Sequence, residues 1–257
     1  AQARKEGGTG ANRVGAKDDL RAAFDGSESG QSLRPFAMAV NYAPPKSQIH
    51  YPDSDGQPMA ESDFQREPLI YAVESLGIFF ASRADVYVSG NMFVYYRQGD
   101  PEAVVAPDVF VVMGAAKHKR NSYRIWEEGK VPDFVLEITS NATYDRDQGA
   151  KVGIYSLMKV QEYFQFDPTR DYLQPPLQGL RLAGRGYEPL PPTILPDGAL
   201  AIHSEVLGLE LRLLAGSGDL RFFNPATGSI LRSHAEAEEE VARLQAELER
   251  LKGKTQG

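Results

Sequence analysis

The chain has 257 residues, 42% hydrophobic and 25% charged, which suits one sizeable folded core with tails and leaves little room for two full domains. With 35 acidic against 28 basic residues, the net charge of −7 argues against a constitutive nucleic-acid binder with a basic face, although a local basic patch can survive inside an acidic sum. The absence of cysteine excludes disulfides, thiolate nucleophiles and cysteine zinc sites, and the scattered His50, His118, His203 and His234 show no HExxH spacing. No apolar run approaches the ~18 residues of a membrane span, and Ala1-Gln2-Ala3-Arg4 lacks the apolar core of a signal peptide. The expectation is a cytoplasmic protein with no membrane partner.

Residues 1–34 are rich in Gly, Ser, Ala and charge and read as a disordered or weakly docked tail. The folded domain is expected over 35–232. It opens on turn signals at Pro44-Pro45, Pro52, Asp55-Gly56 and Pro58. The first firm helix is expected over 61–82, from the helical spacing of Leu69, Ile70, Val73, Leu76, Phe79 and Phe80. Its acids Glu61, Asp63, Glu67 and Glu74 fit a helix N-terminus and a solvated face, and nothing selects one of them for a site. Residues 85–97 are β-branched and aromatic on both sides of Gly90-Asn91, which predicts a hairpin or two consecutive strands.

Pro107-Asp108 opens the next strand, through Met113; proline is tolerated at a strand's first position because it need not donate to the ladder. A polar loop over 114–130 carries Lys117, Lys119, Arg120, Arg124 and Lys130 beside His118 and Trp126. Such a mixture suits phosphate contacts and base stacking as well as it suits a solvated loop. The loop joins two acid-bearing strands, which makes Lys117, Lys119, Arg120 and Arg124 the candidate nucleic-acid contacts. The strand Asp133–Thr139 alternates Asp133, Val135, Glu137 and Thr139 on one face with Phe134, Leu136 and Ile138 on the other. Glu137 therefore sits mid-strand, where a carboxylate is costly to bury unless it is paired or binds a metal. Asp133 on the same face ranks below it.

A helix over 144–158 comes next, with Ile154, Leu157 and Met158 apolar and Asp147 four residues before Lys151. Glu162 to Asp167-Pro168 reads as a further strand, and 171–232 as short extended pieces between turns, forming extra hairpins that finish or flank the sheet. Residues 233–257 hold a charged helix whose Val241, Leu244, Leu248 and Leu251 make an a/d seam of about two heptads, which could form a short coiled coil in a homodimer or lie against the chain's own core. The fold class expected is α/β with a central mixed sheet flanked by helices.

The run Pro107-Asp108, then Trp126 through Glu137 to Ser140, then Asp147-x-x-x-Lys151-x-x-x-Tyr155 and Glu162-Tyr163 to Asp167-Pro168, resembles the Uma-type putative restriction endonuclease family of the PD-(D/E)XK nuclease superfamily. The resemblance spans about residues 50–232 and rests on the order and spacing of several weak motifs. It implies a restriction-endonuclease-like core, a divalent metal, usually Mg²⁺ with Mn²⁺ as a substitute, and phosphodiester hydrolysis. It matches Asp108 and Glu137 to the family's two acids, and Lys151 to a lysine moved onto the following helix. The simplest superfamily pattern has lysine two residues after the second acid; here that position is Thr139.

The chemistry gives each residue type a reason. Two carboxylates hold a hard cation that takes oxygen ligands and keeps several waters. A nearby ammonium favours hydroxide over water and steadies the charge of in-line displacement. Asp108 and Glu137 are thus the expected metal ligands and Lys151 the residue assisting water, with DNA as the expected substrate. There is neither a GxSxG elbow nor a Walker A loop. A catalytically inactive module with the same fold, acting in nucleic-acid binding or protein assembly, is the alternative.

Overall fold

The structure is a computed structural model that describes residues 49–54, 56, 62–139 and 149–255. The N-terminal tail, Glu61 and the expected Asp147–Lys151 pairing lie outside the described residues. The described residues all fall within one contact unit, Ser47–Gly257.

The central sheet has six strands in the order β1 (Val86–Ser89), β4 (Val109–Met113), β6 (Phe134–Ile138), β7 (Glu162–Phe166), β8 (Leu177–Ala183) and β9 (Gly186–Pro189). Only β6 and β7 run parallel; the other neighbours are antiparallel. A parallel pair needs a crossover, and helix α3 (Ala150–Met158) lies in the connection between β6 and β7. The sheet is therefore mixed, as the spacing of elements predicts.

Strand alternation sorts β6 between two cores. Phe134, Leu136 and Ile138 join Phe164 and Phe166 of β7, together with Tyr71, Ala72 and Leu76 of helix α1 (Asp63–Phe79). The same core takes Leu209, Leu211 and Phe222 from a second sheet. That sheet is a five-stranded antiparallel run of β10 (Thr193–Ile194), β11 (Leu200–Ser204), β12 (Leu209–Leu213), β13 (Leu220–Asn224) and β14 (Ser229–Ile230). Val135, on the opposite face, packs with Tyr155 and Met158 of α3 and with Tyr163 and Phe110. The residues expected as extra hairpins thus divide between two jobs: β8 and β9 extend the central sheet, and β10–β14 build the second one.

Several local expectations change. Of the two alternatives for residues 85–97, two consecutive strands form and a hairpin does not. β1 pairs with β4, whereas β2 (Val94–Tyr95) pairs antiparallel with β3 (Val104–Val105) and parallel with β5 (Tyr123–Arg124) in a separate three-stranded sheet. The polar loop over 114–130 contains β5 and a one-turn helix α2 (Ile125–Glu128). Of the apolar set read from spacing, Leu76 and Phe80 are buried and Leu69, Val73 and Phe79 pack against the same core, whereas Ile70 is 45% exposed; Tyr71, Ala72 and Ser75 complete the buried face. The Tyr71 hydroxyl explains how a polar side chain joins that face. It donates to the Leu231 carbonyl and accepts the buried Phe222 N–H, each at 3.0 Å, so its polar atom is paired there.

The C-terminal helix α4 (His234–Thr255) leaves Val241, Leu244, Leu248 and Leu251 each at least half exposed, so its own core does not cover the seam. Among the described residues, no helix is long and apolar enough to cross a membrane.

Just past β1, Gly90 lies against the residue that leads into β4. An added Cβ would stand 2.2 Å from the Asp108 carbonyl oxygen and 3.0 Å from Val73 of α1. The chain approaches Asp108 more closely here than any side chain permits. Gly90→Ala should therefore displace the start of β4 and lower unfolding free energy by about 1–3 kcal/mol, as overpacking does. Urea denaturation checks this; an unchanged midpoint would mean that the backbone yields without cost.

Candidate active site

Asp108 directly precedes β4 and Glu137 lies near the end of β6. The antiparallel register pairs Val109 with Leu136, and extending it by one residue sets Asp108 across from Glu137. Both acids thereby reach one edge of the sheet without any long side chain having to bend there.

Glu137 is fully buried, with no exposed surface. Helix α3 supplies its partners. Lys151 Nζ donates to Glu137 Oε2 at 2.8 Å, and the Tyr155 hydroxyl donates to Oε1 at 2.5 Å. Lys151 and Tyr155 are four residues apart, so they share a helix face, and Met158 continues it into the core. Leu157, expected on the apolar face, is 64% exposed. The helix is oriented by a buried carboxylate as much as by apolar contact. The Lys151 side chain is 18% exposed, so one side of this ion pair opens towards solvent.

Asp108 Oδ2 accepts the Ile138 N–H at 2.7 Å. Burial pushes its carboxyl well above the usual carboxylate range, and the neighbouring Glu137, as a charge and as a hydrogen-bond partner, pushes the same way; Ile138 N–H and Lys151 oppose this. Burial likewise raises the Tyr155 hydroxyl, with Glu137 adding to the effect, so Tyr155 stays a donor.

Two further polar residues share this edge. Gln165 of β7 lies beside Glu137 in the parallel register and is 3% exposed. Thr139, two residues past Glu137, is 1% exposed. Spacing could have revealed Tyr155, one helical turn after Lys151. Gln165 and its partner strand could not be paired without knowing the register.

The basic loop is placed differently from expectation. It leaves β4 after Met113 and enters β6 at Asp133, the end of the strands away from Asp108 and Glu137. The separation is about four strand residues, roughly 13 Å. Joining two acid-bearing antiparallel strands puts the loop at the wrong end for those acids. Its cations are also largely engaged: Lys117 Nζ donates to the Phe80 and Ala81 carbonyls just after α1. The Arg120 side chain is 3% exposed, ion-pairs with Glu128 at 2.7 Å, and lies 4.2 Å from the Tyr87 ring centroid. Arg124 pairs with Glu127 at 3.0 Å, and Lys119 is exposed.

Asp133 also sits at this far end. It accepts the Met113 N–H at 2.6 Å and Gln161 Nε2 at 2.9 Å, which is a structural use of a carboxylate. In α1, Asp63 pairs with Arg66 and Glu74 accepts the His234 N–H. Among the described residues no group of three or more His, Cys, Asp or Glu side chains is placed to hold a metal, so no acid of α1 joins Asp108 and Glu137.

Two remaining motif residues are scaffold. Glu162, 1% exposed, takes Arg181 at 2.8 Å and Ser204 at 2.5 Å, tying β7 to β8 and to β11 of the second sheet. Asp167 is fully buried and accepts the N–H groups of Thr169, Arg170, Tyr172 and Leu173 and the Thr169 hydroxyl, clamping the loop after β7.

The Uma2 family, described as putative restriction endonuclease, matches residues 41–215, more than half of the chain. The chain belongs to this family. The matched Uma2 segment takes in the whole polar edge, from Asp108 to Gln165. Among solved structures, the chain is similar to a putative nuclease belonging to DUF820 from Anabaena variabilis ATCC 29413. That likeness has 14% identity and a TM-score of 0.43, and covers 59% of this chain and 76% of that one. No curated protein matches the sequence.

The electrostatics of this Uma2 site can be checked without any substrate. A carboxyl whose folded pKa lies above its unfolded value binds a proton that the unfolded chain has released. Asp108 therefore costs stability progressively as pH rises from the usual carboxylate range through its raised folded value. Asp108→Asn, which cannot ionise, should raise the melting temperature in EDTA at pH 8 by about 2–4 °C. The gain should shrink towards pH 4. A gain independent of pH, or none, would contradict this electrostatic account.

Proposed function

We propose that the chain is a metal-dependent endonuclease that hydrolyses phosphodiester bonds in DNA. The observation that carries this reading is the convergence of Asp108, Glu137 and Lys151 on one sheet edge, in a chain of the Uma2 family. DNA is the substrate class that the family's description suggests.

The donor set fits Mg²⁺ or Mn²⁺. Asp108 and Glu137 offer only oxygen, which suits a hard cation, and two carboxylates leave such an ion several of its waters. Burial first, and the charge of Glu137 after it, raises the Asp108 carboxyl, and a divalent cation beside the two acids would favour its ionised form. When bound, the ion supplies charge stabilisation at the phosphate and a water of lowered pKa.

The protein's own groups have separable tasks under this proposal. Asp108 and Glu137 hold the ion. Tyr155 keeps the Glu137 carboxylate oriented from the buried side. Lys151 stands at the solvent side of Glu137, where its ammonium favours hydroxide over water and attracts the scissile phosphate. The loop cations Lys119 and Arg124 retain exposed surface and would meet a nucleic acid only where it extends past the far end of the sheet.

A duplex has two strands, and the half-exposed seam of α4 fits pairing with a second copy. In a parallel pair Glu247 would face Lys252 of the other helix across flanking heptad positions. Light scattering should then report a dimer that Leu244→Glu with Leu248→Glu converts to a monomer.

The deciding experiment is nicking of supercoiled plasmid with Mg²⁺ or Mn²⁺ by the native chain, Glu137→Ala and Lys151→Ala. The expected result is metal-dependent nicking that falls about 100-fold or more in both variants. Loss only in Glu137→Ala would keep the metal site and remove Lys151 from the reaction. No nicking by any form, across several nucleic-acid substrates, would favour the inactive binding or assembly module.

A further inference from the structure

We infer that the Thr139 hydroxyl is a working part of the cation site, holding a water in the shell of the ion bound by Asp108 and Glu137. The inference rests on the proposed metal site and assigns a residue that the Asp–Glu–Lys arrangement does not include.

Thr139 is 1% exposed, and its Oγ1 is buried with no hydrogen-bond partner among the described residues. Buried hydroxyls are normally paired, and one left unpaired costs stability. Valine has nearly the same shape and would fill the same space without that cost. A threonine hydroxyl here therefore implies a polar partner that arrives with a ligand.

The backbone says where that partner lies. Thr139 N–H donates to the Phe166 carbonyl at 2.7 Å, which continues the β6–β7 ladder one residue beyond β6. Strand alternation then keeps residue 139 on the face of Glu137, with Gln165 adjoining across the ladder. The hydroxyl thus adds a neutral oxygen beside the carboxylates of Asp108 and Glu137. A glutamate carboxylate stands farther from its strand than a threonine hydroxyl does. Oγ1 therefore meets a water of the ion, not the ion itself, and a cation such as Mg²⁺ retains waters for such contacts. This position is the one where the simplest superfamily pattern carries lysine. A hydroxyl there can hold a water without competing with Lys151 for the Glu137 carboxylate.

The test uses the full chain and Mn²⁺ alone as probe, with binding followed by electron paramagnetic resonance and stability by thermal melting in EDTA. The forms compared are the native chain, Thr139→Val, Thr139→Ser and Glu137→Ala. Thr139→Val should melt at or above the native temperature in EDTA, because it removes an unpaired buried hydroxyl. It should bind Mn²⁺ about tenfold or more weakly, the range seen for outer ligand-shell changes. Thr139→Ser should bind within a few-fold of native. A lowered melting temperature for Thr139→Val in EDTA would make the hydroxyl structural and overturn the inference. So would native Mn²⁺ affinity in Thr139→Val while Glu137→Ala loses it, a result that leaves the metal site itself standing. If the native chain binds no Mn²⁺, or Glu137→Ala binds as tightly as native, the metal site falls and the role of Thr139 falls with it.

Discussion

A carboxylate with no exposed surface governs this structure. Taking a charge out of water costs several kcal/mol unless partners replace the lost hydration, so the position of Glu137 dictates what surrounds it. Lys151 and Tyr155 satisfy one oxygen each, and both come from α3. The helix that closes the β6–β7 crossover is therefore fixed in rotation by polar contacts, and its apolar residues adapt to that rotation. Removing either partner would leave a buried charge incompletely paired, whereas removing Glu137 would take a carboxylate from a lysine that keeps access to water. The site and the core on that face of the sheet are one structural unit.

Register does the rest. Asp108 faces Glu137 because β4 and β6 are antiparallel with Val109 opposite Leu136. A slip of one residue would move every side chain of the strand to the other face and send the acids into the opposite core. Two constraints guard against it. Phe134, Leu136 and Ile138 must meet α1 and the second sheet, and the Gly90 backbone must pass against Asp108 with no Cβ between. The geometry of the polar edge is thus secured by apolar packing on one face and by close backbone approach at its rim.

Much of this is legible in the sequence and some is not, for identifiable reasons. Alternation along Asp133–Thr139 places Glu137 on the correct face, because a strand's period of two needs no partner to be read. The spacing of Lys151 from Tyr155 fixes one helix face for the same reason. Sequence order ties the basic loop to the acids because it connects their strands. Only the antiparallel pairing reveals that such a connection lies at the opposite end. Lys117 and Arg120 have the composition of phosphate contacts, but a lysine can close a helix end and an arginine can be buried against tyrosine and glutamate, and composition does not separate these uses. Apolar spacing finds Leu76 and Phe80 on the buried face of α1 but passes over Tyr71, which enters the core with its hydroxyl paired.

Asp167 carries a consequence for how such chains are recognised. Its carboxylate serves five donors in the loop after β7 and nothing in the chemistry proposed for Glu137. Glu162 is likewise committed to joining the two sheets. Both belong to the pattern by which the chain resembles its family, and the fold needs both whether or not Glu137 and Lys151 are present. A pattern match built on such residues therefore measures the inheritance of a scaffold. The cation site proposed here depends instead on Asp108, Glu137 and Lys151.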